Sequence, residues 1–219
     1  MKGLLIKDMK LMKNQKQFLV VMIFFGVLFM FVYSSPFSVI CYLTIMFSML
    51  VTTTLTYDEF ENGGAYLFTL PFSRRDYVKE KYLFGIAVIC VSCTAASVLA
   101  VIASNIRGIE YELGELGIVS LSSIIASICF ISLALPIEIK LGVEKGRIGF
   151  LLVMAAFFLF FYLLMKVTER HGSGNILAWL DMVIEHKLPI AIVGLCIFLA
   201  VLLSISMLLS MKFISKKEY

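Results

Sequence analysis

Few side chains in this sequence have the types and spacing needed for covalent or metal chemistry. Cys90 and Cys93 form a C-x-x-C, a spacing that serves redox exchange or metal binding, but both lie in an uncharged apolar run, where they read as small packing residues. His171 and His186 flank a polar segment that lacks the further ligands, at defined spacing, that a zinc site requires. No long uncharged run holds His, Asp or Glu, so no base or paired metal ligands meet a nucleophile there, which argues against an intramembrane hydrolase. No G-x-x-x-x-G-K-[ST] occurs, so nucleotide is expected to bind another chain. Two milder patterns remain. Thr44, Ser48 and Thr52 share one helical face and Ser120, Ser123 and Ser127 another, suited to close helix packing or to lining a polar path. The second pattern is a dense set of acids and bases between residues 57 and 85.

These groups must be positioned by membrane-crossing helices. Residues 17–57 run 41 positions without Asp, Glu, Lys or Arg, and uncharged runs follow at 82–106, 116–137, 148–165 and 188–211. A hydrocarbon core about 30 Å thick needs roughly 20 apolar residues per helical crossing, so the first run is two crossings and each later run one. Pro36 removes a backbone donor and restrains its predecessor, which places a hairpin at Ser34-Ser35-Pro36. The expectation is an all-α polytopic protein forming one domain over 1–219, with spans near 18–33, 37–57, 82–105, 117–137, 148–166 and 188–211. A hydrophobic fraction of 61% agrees, against about 45–50% for soluble domains. The first apolar run is continuous with the second and lacks a small-residue cleavage site, so a signal peptide is not expected. Spans without fixed charge lack the relays of ion-coupled pumps; they suit amphipathic or apolar cargo and an energy source outside the membrane.

With the N-terminus placed in the cytoplasm, 15 of the 19 Lys and Arg residues fall on the inner side and 4 on the outer side. The positive-inside rule then puts both termini in the cytoplasm, and the net charge of +4 reports orientation rather than nucleic-acid binding. Within 1–17, Leu4, Leu5, Met9 and Met12 lie near one stripe among lysines, as for an interfacial helix with its stripe in lipid and its lysines at anionic head groups. Within 167–187, Ile176, Leu177, Leu180, Val183 and Ile184 recur at helical spacing beside Trp179, so an amphipathic segment is expected to dip into the outer leaflet before span six.

The loop between spans two and three, YDEFENGGAYLFTLPFSRRDYVKEKYLFG over 57–85, has the strongest local signals. Asp58, Glu59 and Glu61 oppose the helix dipole at the end of span two, which suggests an external partner. Asn62-Gly63-Gly64 tolerates a left-handed stop, and Ala65–Leu70 suits one or two surface turns ended by Pro71. Ser73 followed by Asp76 is a capping box, marking Ser73 as the N-cap of a helix that runs through Lys81 into span three.

The series Asp58-Glu59, Tyr66, Leu70-Pro71-x-Ser73-Arg74, Val78 and Lys81-Tyr82 resembles the cytoplasmic signature of small type-2 ABC transporter permeases. That resemblance implies six helices with both termini inside, an interfacial N-terminal helix, a re-entrant outer segment before helix six and a coupling segment over 58–81. It also implies an ABC ATP-binding subunit as partner, met or braced by Asp58, Glu59, Tyr66, Leu70, Pro71, Ser73 and Arg74. ATP and Mg would sit on that subunit, with no cofactor in this chain, and a second permease copy, identical or related, would complete the transporter. Among such permeases the chain looks closest to exporters of cytolytic or antimicrobial peptides. A non-transporting membrane anchor or immunity protein would keep the spans without needing an ATPase.

Overall fold

The computed structural model describes residues 2–32, 38–59, 63–67, 69, 71–109, 113–170 and 174–216, and most side chains between 143 and 193 fall outside the description. Helices follow the apolar runs: α1 (Lys2–Asn14), α2 (Lys16–Val32), α3 (Ser38–Glu59), α4 (Gly63–Leu67), α5 (Arg74–Arg107), α6 (Leu113–Arg170) and α7 (Gly174–Lys216). Four stretches, Ser38–Glu59, Arg74–Arg107, Leu113–Gly142 and Gly194–Lys216, are long and apolar enough to cross a membrane. A fifth is added if α1 and α2, bent by 67° at their junction, count as one broken span. The expected span over 148–166 is helical backbone within α6, but most of its side chains are outside the description. The Ser34-Ser35-Pro36 hairpin also lies outside the described residues; α2 and α3 end and begin on either side of it.

Span four is separated from the rest of α6 by Gly142, whose φ of 75° and ψ of 177° suit glycine and break the helical path. This falls within the connection expected over 138–147. The outer segment is different: α7 runs unbroken from Gly174 to Lys216, so in the backbone the expected amphipathic segment and span six are one helix. Trp179, His171 and His186 lie among residues whose side chains are not described.

α3 packs against α6, α5, α2, α4 and α1. Two apolar clusters flank its length. One, near both described chain ends, joins Leu4, Leu55, Tyr77, Val78, Leu135 and Ile214; the other, at the far end, joins Met30, Val39, Ile40, Leu43, Ala96 and Ala100. The basic residues gather near the first cluster, here called the basic end.

α1 packs against α3 and α5. Leu4 is buried in the core, Leu5 and Met12 pack partly against it, and only Met9 of the stripe is exposed. Leu4 and Asp8 are one turn apart on the face turned to the bundle, so part of the apolar stripe makes protein contact.

Pro136 sits inside α6 and has no N–H to give the carbonyl of Ser132. Ser206 of α7 donates its hydroxyl to that oxygen at 2.5 Å. Having used its only proton, Ser206 accepts from the Tyr82 hydroxyl of α5 at 2.5 Å, and Ser210 donates to Tyr82 at 2.9 Å. A proline defect in one helix thus becomes a hydrogen-bonded tie across three.

Candidate functional site

The segment linking α3 to α5 is held from both sides. Ser73 is in extended conformation (φ −85°, ψ 152°), and its side chain accepts from the Asp76 N–H at 3.1 Å. The Asp76 carboxylate accepts in turn from the Ser73 backbone at 3.4 Å and from its hydroxyl at 2.7 Å, completing the expected capping box. That reciprocal bonding, led by the Ser73 side chain, holds the Asp76 carboxyl below its ordinary range. From this cap α5 runs without interruption to Gly108, a left-handed C-cap with φ of 64°.

Gly63 and Gly64 do not form the expected left-handed stop. Both are helical and open α4, which begins two residues before the expected start at Ala65. A Cβ at Gly63 would lie 2.9 Å from the Asp58 carbonyl oxygen, so glycine is needed there for close backbone approach. Asn62, Glu61 and Leu70 lie outside the described residues. Tyr66 is 73% exposed, and Pro71 and Ser73 are exposed beside it. Arg74 is half-buried and donates to the Ile214 carbonyl at 2.8 Å, capping the end of α7. Glu59 is half-buried, and a Cβ at Gly142 would lie 3.4 Å from its Oε2.

Asp58 turns inward and is 7% exposed. An acid at a helix C-terminus opposes the dipole, and here the compensating charges come from within the chain. Lys81, two turns into α5 and fully buried, spends its three ammonium hydrogens on Asp8 Oδ2 at 2.5 Å, Asp58 Oδ2 at 2.8 Å and Thr54 Oγ1 at 3.0 Å. Lys7 closes the set from α1, 2.5 Å from Asp58 Oδ1 and 3.3 Å from Asp8 Oδ1. The Tyr77 hydroxyl donates to Asp58 Oδ2 at 2.9 Å, and its ring centroid lies 5.4 Å from Lys81 Nζ and 5.8 Å from Lys7 Nζ. Two lysines and two aspartates balance across α1, α3 and α5.

Desolvating such charges costs several kcal/mol each, so the lattice adds little net stability over an apolar core, while losing one member strands the others. Its effect is positional. The helix entering the 58–81 segment and the helix leaving it are pinned to one another and to α1 through Lys81.

The hydroxyl faces are turned inward. Thr44 and Ser48 are fully buried and Thr52 is 9% exposed. Each bonds its own helix, to Ile40, Ile45 and Met49 carbonyls at 2.7, 2.6 and 2.8 Å. Ser120 and Ser123 meet α5, Ser120 by a 3.1 Å bond with Ser97 and Ser123 beside the Cys93 thiol at 3.7 Å. All five cysteines are free, Cys90 exposed and Cys93 buried. Among the described residues no group of three His, Cys, Asp or Glu side chains could hold a metal ion. Near Pro136 an apolar groove of about 710 Å³ opens between α6 and α7, lined by Leu133, Ile137, Phe198, Val201 and Leu209, with Lys140 also on its wall.

The sequence points to Asp58, Ser73 and Arg74, and to Asp76 as the partner of Ser73, but not to the groups that Asp58 and Arg74 meet. Lys7, Asp8, Thr54 and Tyr77 carry no motif, and Lys81 enters the sequence reading as an orientation charge and as part of the permease-like series, not as a partner of buried acids. A lysine two turns inside a capped helix was the available signal.

No curated protein and no solved structure matches the chain. A family model, the ABC-2 family transporter protein, matches residues 3–215, from the first turn of α1 to the last of α7. That span takes in the apolar helices, the capped 58–81 segment and the lattice that ties it to α1, and the chain belongs to the ABC-2 family of transporter proteins as a membrane permease.

Proposed function

We propose that this chain is the membrane subunit of an ATP-driven ABC exporter that moves amphipathic or apolar cargo, such as peptides, outward. ATP and Mg would be held by a separate ATP-binding subunit that docks at the basic end, on the surface around Tyr66, Pro71, Ser73 and Arg75. A second permease, identical or related, would complete the pathway across the membrane. The observation that carries this reading is the bracing of the 58–81 segment: a segment tied to α1, α3, α5 and α7 passes on a push from a docked partner, whereas a slack loop would absorb it. An apolar groove with a lysine on its wall supports amphipathic cargo over ions. The Thr44, Ser48 and Thr52 face, bonded to its own backbone, supports helix packing over cargo contact.

The test is reconstitution with a co-expressed ATP-binding subunit. The chain alone should bind no ATP; the complex should hydrolyse it and expel an amphipathic peptide from the loaded side. An anchor or immunity protein would co-purify with no ATPase and support no transport. Both termini are proposed to lie in the cytoplasm. With native cysteines removed, Asn105→Cys should then react with an impermeant maleimide in intact cells, and Lys216→Cys only after permeabilisation. The reverse pattern would invert the topology.

A further inference from the structure

The lattice of Lys7, Asp8, Asp58 and Lys81 is charge-balanced, and directly beside it sits a fifth ionisable group that nothing balances. Glu80 is 0% exposed, and neither of its carboxylate oxygens has a hydrogen-bond partner. Asp8 Oδ1, on the helix packed across α5, also lacks a hydrogen bond, since Lys7 at 3.3 Å meets it without hydrogen-bond geometry. A buried carboxylate without a donor is among the most costly groups a fold can hold, and the ordinary resolution is to take up a proton. We propose that Glu80 is a proton-binding site that sets how firmly the N-terminal helix docks: α1 closes over a protonated Glu80 and loosens when that proton is lost.

The surroundings support this. Glu80 lies on the 74–81 extension of α5, before the apolar stretch that begins at Tyr82. Burial first, and then the Asp8 charge on α1, push its carboxyl up to about 7. Lys81 on its own helix and Lys7 on α1 oppose that rise, and Asp58 on α3 adds to it. From the other helices packed on α5, Glu138, Lys140 and Lys212 belong to the same basic end, where Lys140 meets Phe213 and Arg74 caps α7. Undocking α1 would remove Asp8 and readmit water, returning Glu80 toward an ordinary carboxyl. Because the docked state holds the proton more tightly, docking is strongest below the ordinary glutamate range of about 4.3 and weakens as pH climbs toward 7. Above that it levels off, since the group is then ionised in both states.

The proposal does not rest on the ATPase reading, because its test uses the full chain alone, in nanodiscs that leave both faces open. In a background with the five native cysteines replaced by alanine, Leu4→Cys reports docking, since Leu4 is 5% exposed. Gly3→Cys is the open control, with nothing near its Cβ position. The ratio of their maleimide labelling rates cancels the pH dependence of thiol reactivity. That ratio should rise at least about tenfold from pH 5 to 7 and then flatten. With Glu80→Gln it should stay low and flat, and with Asp8→Asn its rise should shrink. A parent ratio that does not change between pH 5 and 8, or a Glu80→Gln ratio that rises like the parent's, overturns the proposal. Should Glu80→Gln fail to fold, the parent profile and the Asp8→Asn slope decide it by the same criteria.

Discussion

The two ends of this bundle are held by different physics. At the basic end, α1, α3 and α5 share buried charges, and α5, α6 and α7 share the chain from Tyr82 through Ser206 to the carbonyl freed by Pro136. At the far end the ties described between helices are Arg107 donating to the Met30 carbonyl and Ser97 bonding Ser120, over a core of small and aliphatic side chains such as Ala96, Ala100 and Leu43. Directional bonds fix distance and angle; apolar contacts between small residues permit sliding. The contrast suits a proposed exporter in which force enters at one end and the bundle parts at the other.

The largest effect expected from breaking this contrast is at Lys81. Lys81→Met removes the cation shared by two buried aspartates and should cost about 3–5 kcal/mol in thermal unfolding of the solubilised chain. Arg107→Met, its counterpart at the far end, should cost only about 1 kcal/mol, and equal losses would erase the distinction between the ends. Ser206→Ala comes next. It orphans the Ser132 carbonyl and should cost about 1 kcal/mol, within the span measured for interhelical bonds in membranes; no loss in Tm would show the tie is replaced by another donor.

How much of this could be read from the chain follows from how local each signal is. The capping box at Ser73 and Asp76 spans three residues, and the structure contains it as expected. The apolar runs specify helices for the same reason, since each depends on neighbours within a few turns. The lattice is another matter: Lys81 and Asp8 are 73 positions apart, and Lys7 and Asp58 are 51 apart. No spacing rule joins such residues, and counting charges for topology treats each as solvated. Asp58 therefore suggested an external partner when its compensation was internal. Arg74 similarly reads as surface charge, yet it caps α7.

Two smaller tests sharpen the comparison at the basic end. Ser73→Ala should cost roughly 1 kcal/mol as a lost N-cap and leave the ATP-binding subunit bound, while reducing cargo-stimulated hydrolysis. Unchanged stimulation at matched expression would make the 58–81 segment an ordinary turn. Arg75→Glu should have the smallest effect on stability, within about 0.5 kcal/mol for an exposed site, but should weaken co-purification of the subunit. Arg74→Glu, by contrast, should also lower Tm, because it uncaps α7. If the two variants behave alike, the α7 cap contributes nothing.

The placement of Lys81 also orders events in time. At about 5–20 residues per second, a ribosome that has finished Asp8 needs several seconds more to reach Lys81, 73 residues later. For the first part of that interval Lys7 and Asp8 can pair only with each other; Asp58 then appears 51 residues after Lys7, and Lys81 comes last. The charged seat of α1 exists only once α3 and the start of α5 have been made, so α1, made before α3, settles after it. Nascent chains stalled shortly before and well after Lys81 should differ in how readily Leu4 is reached from solvent.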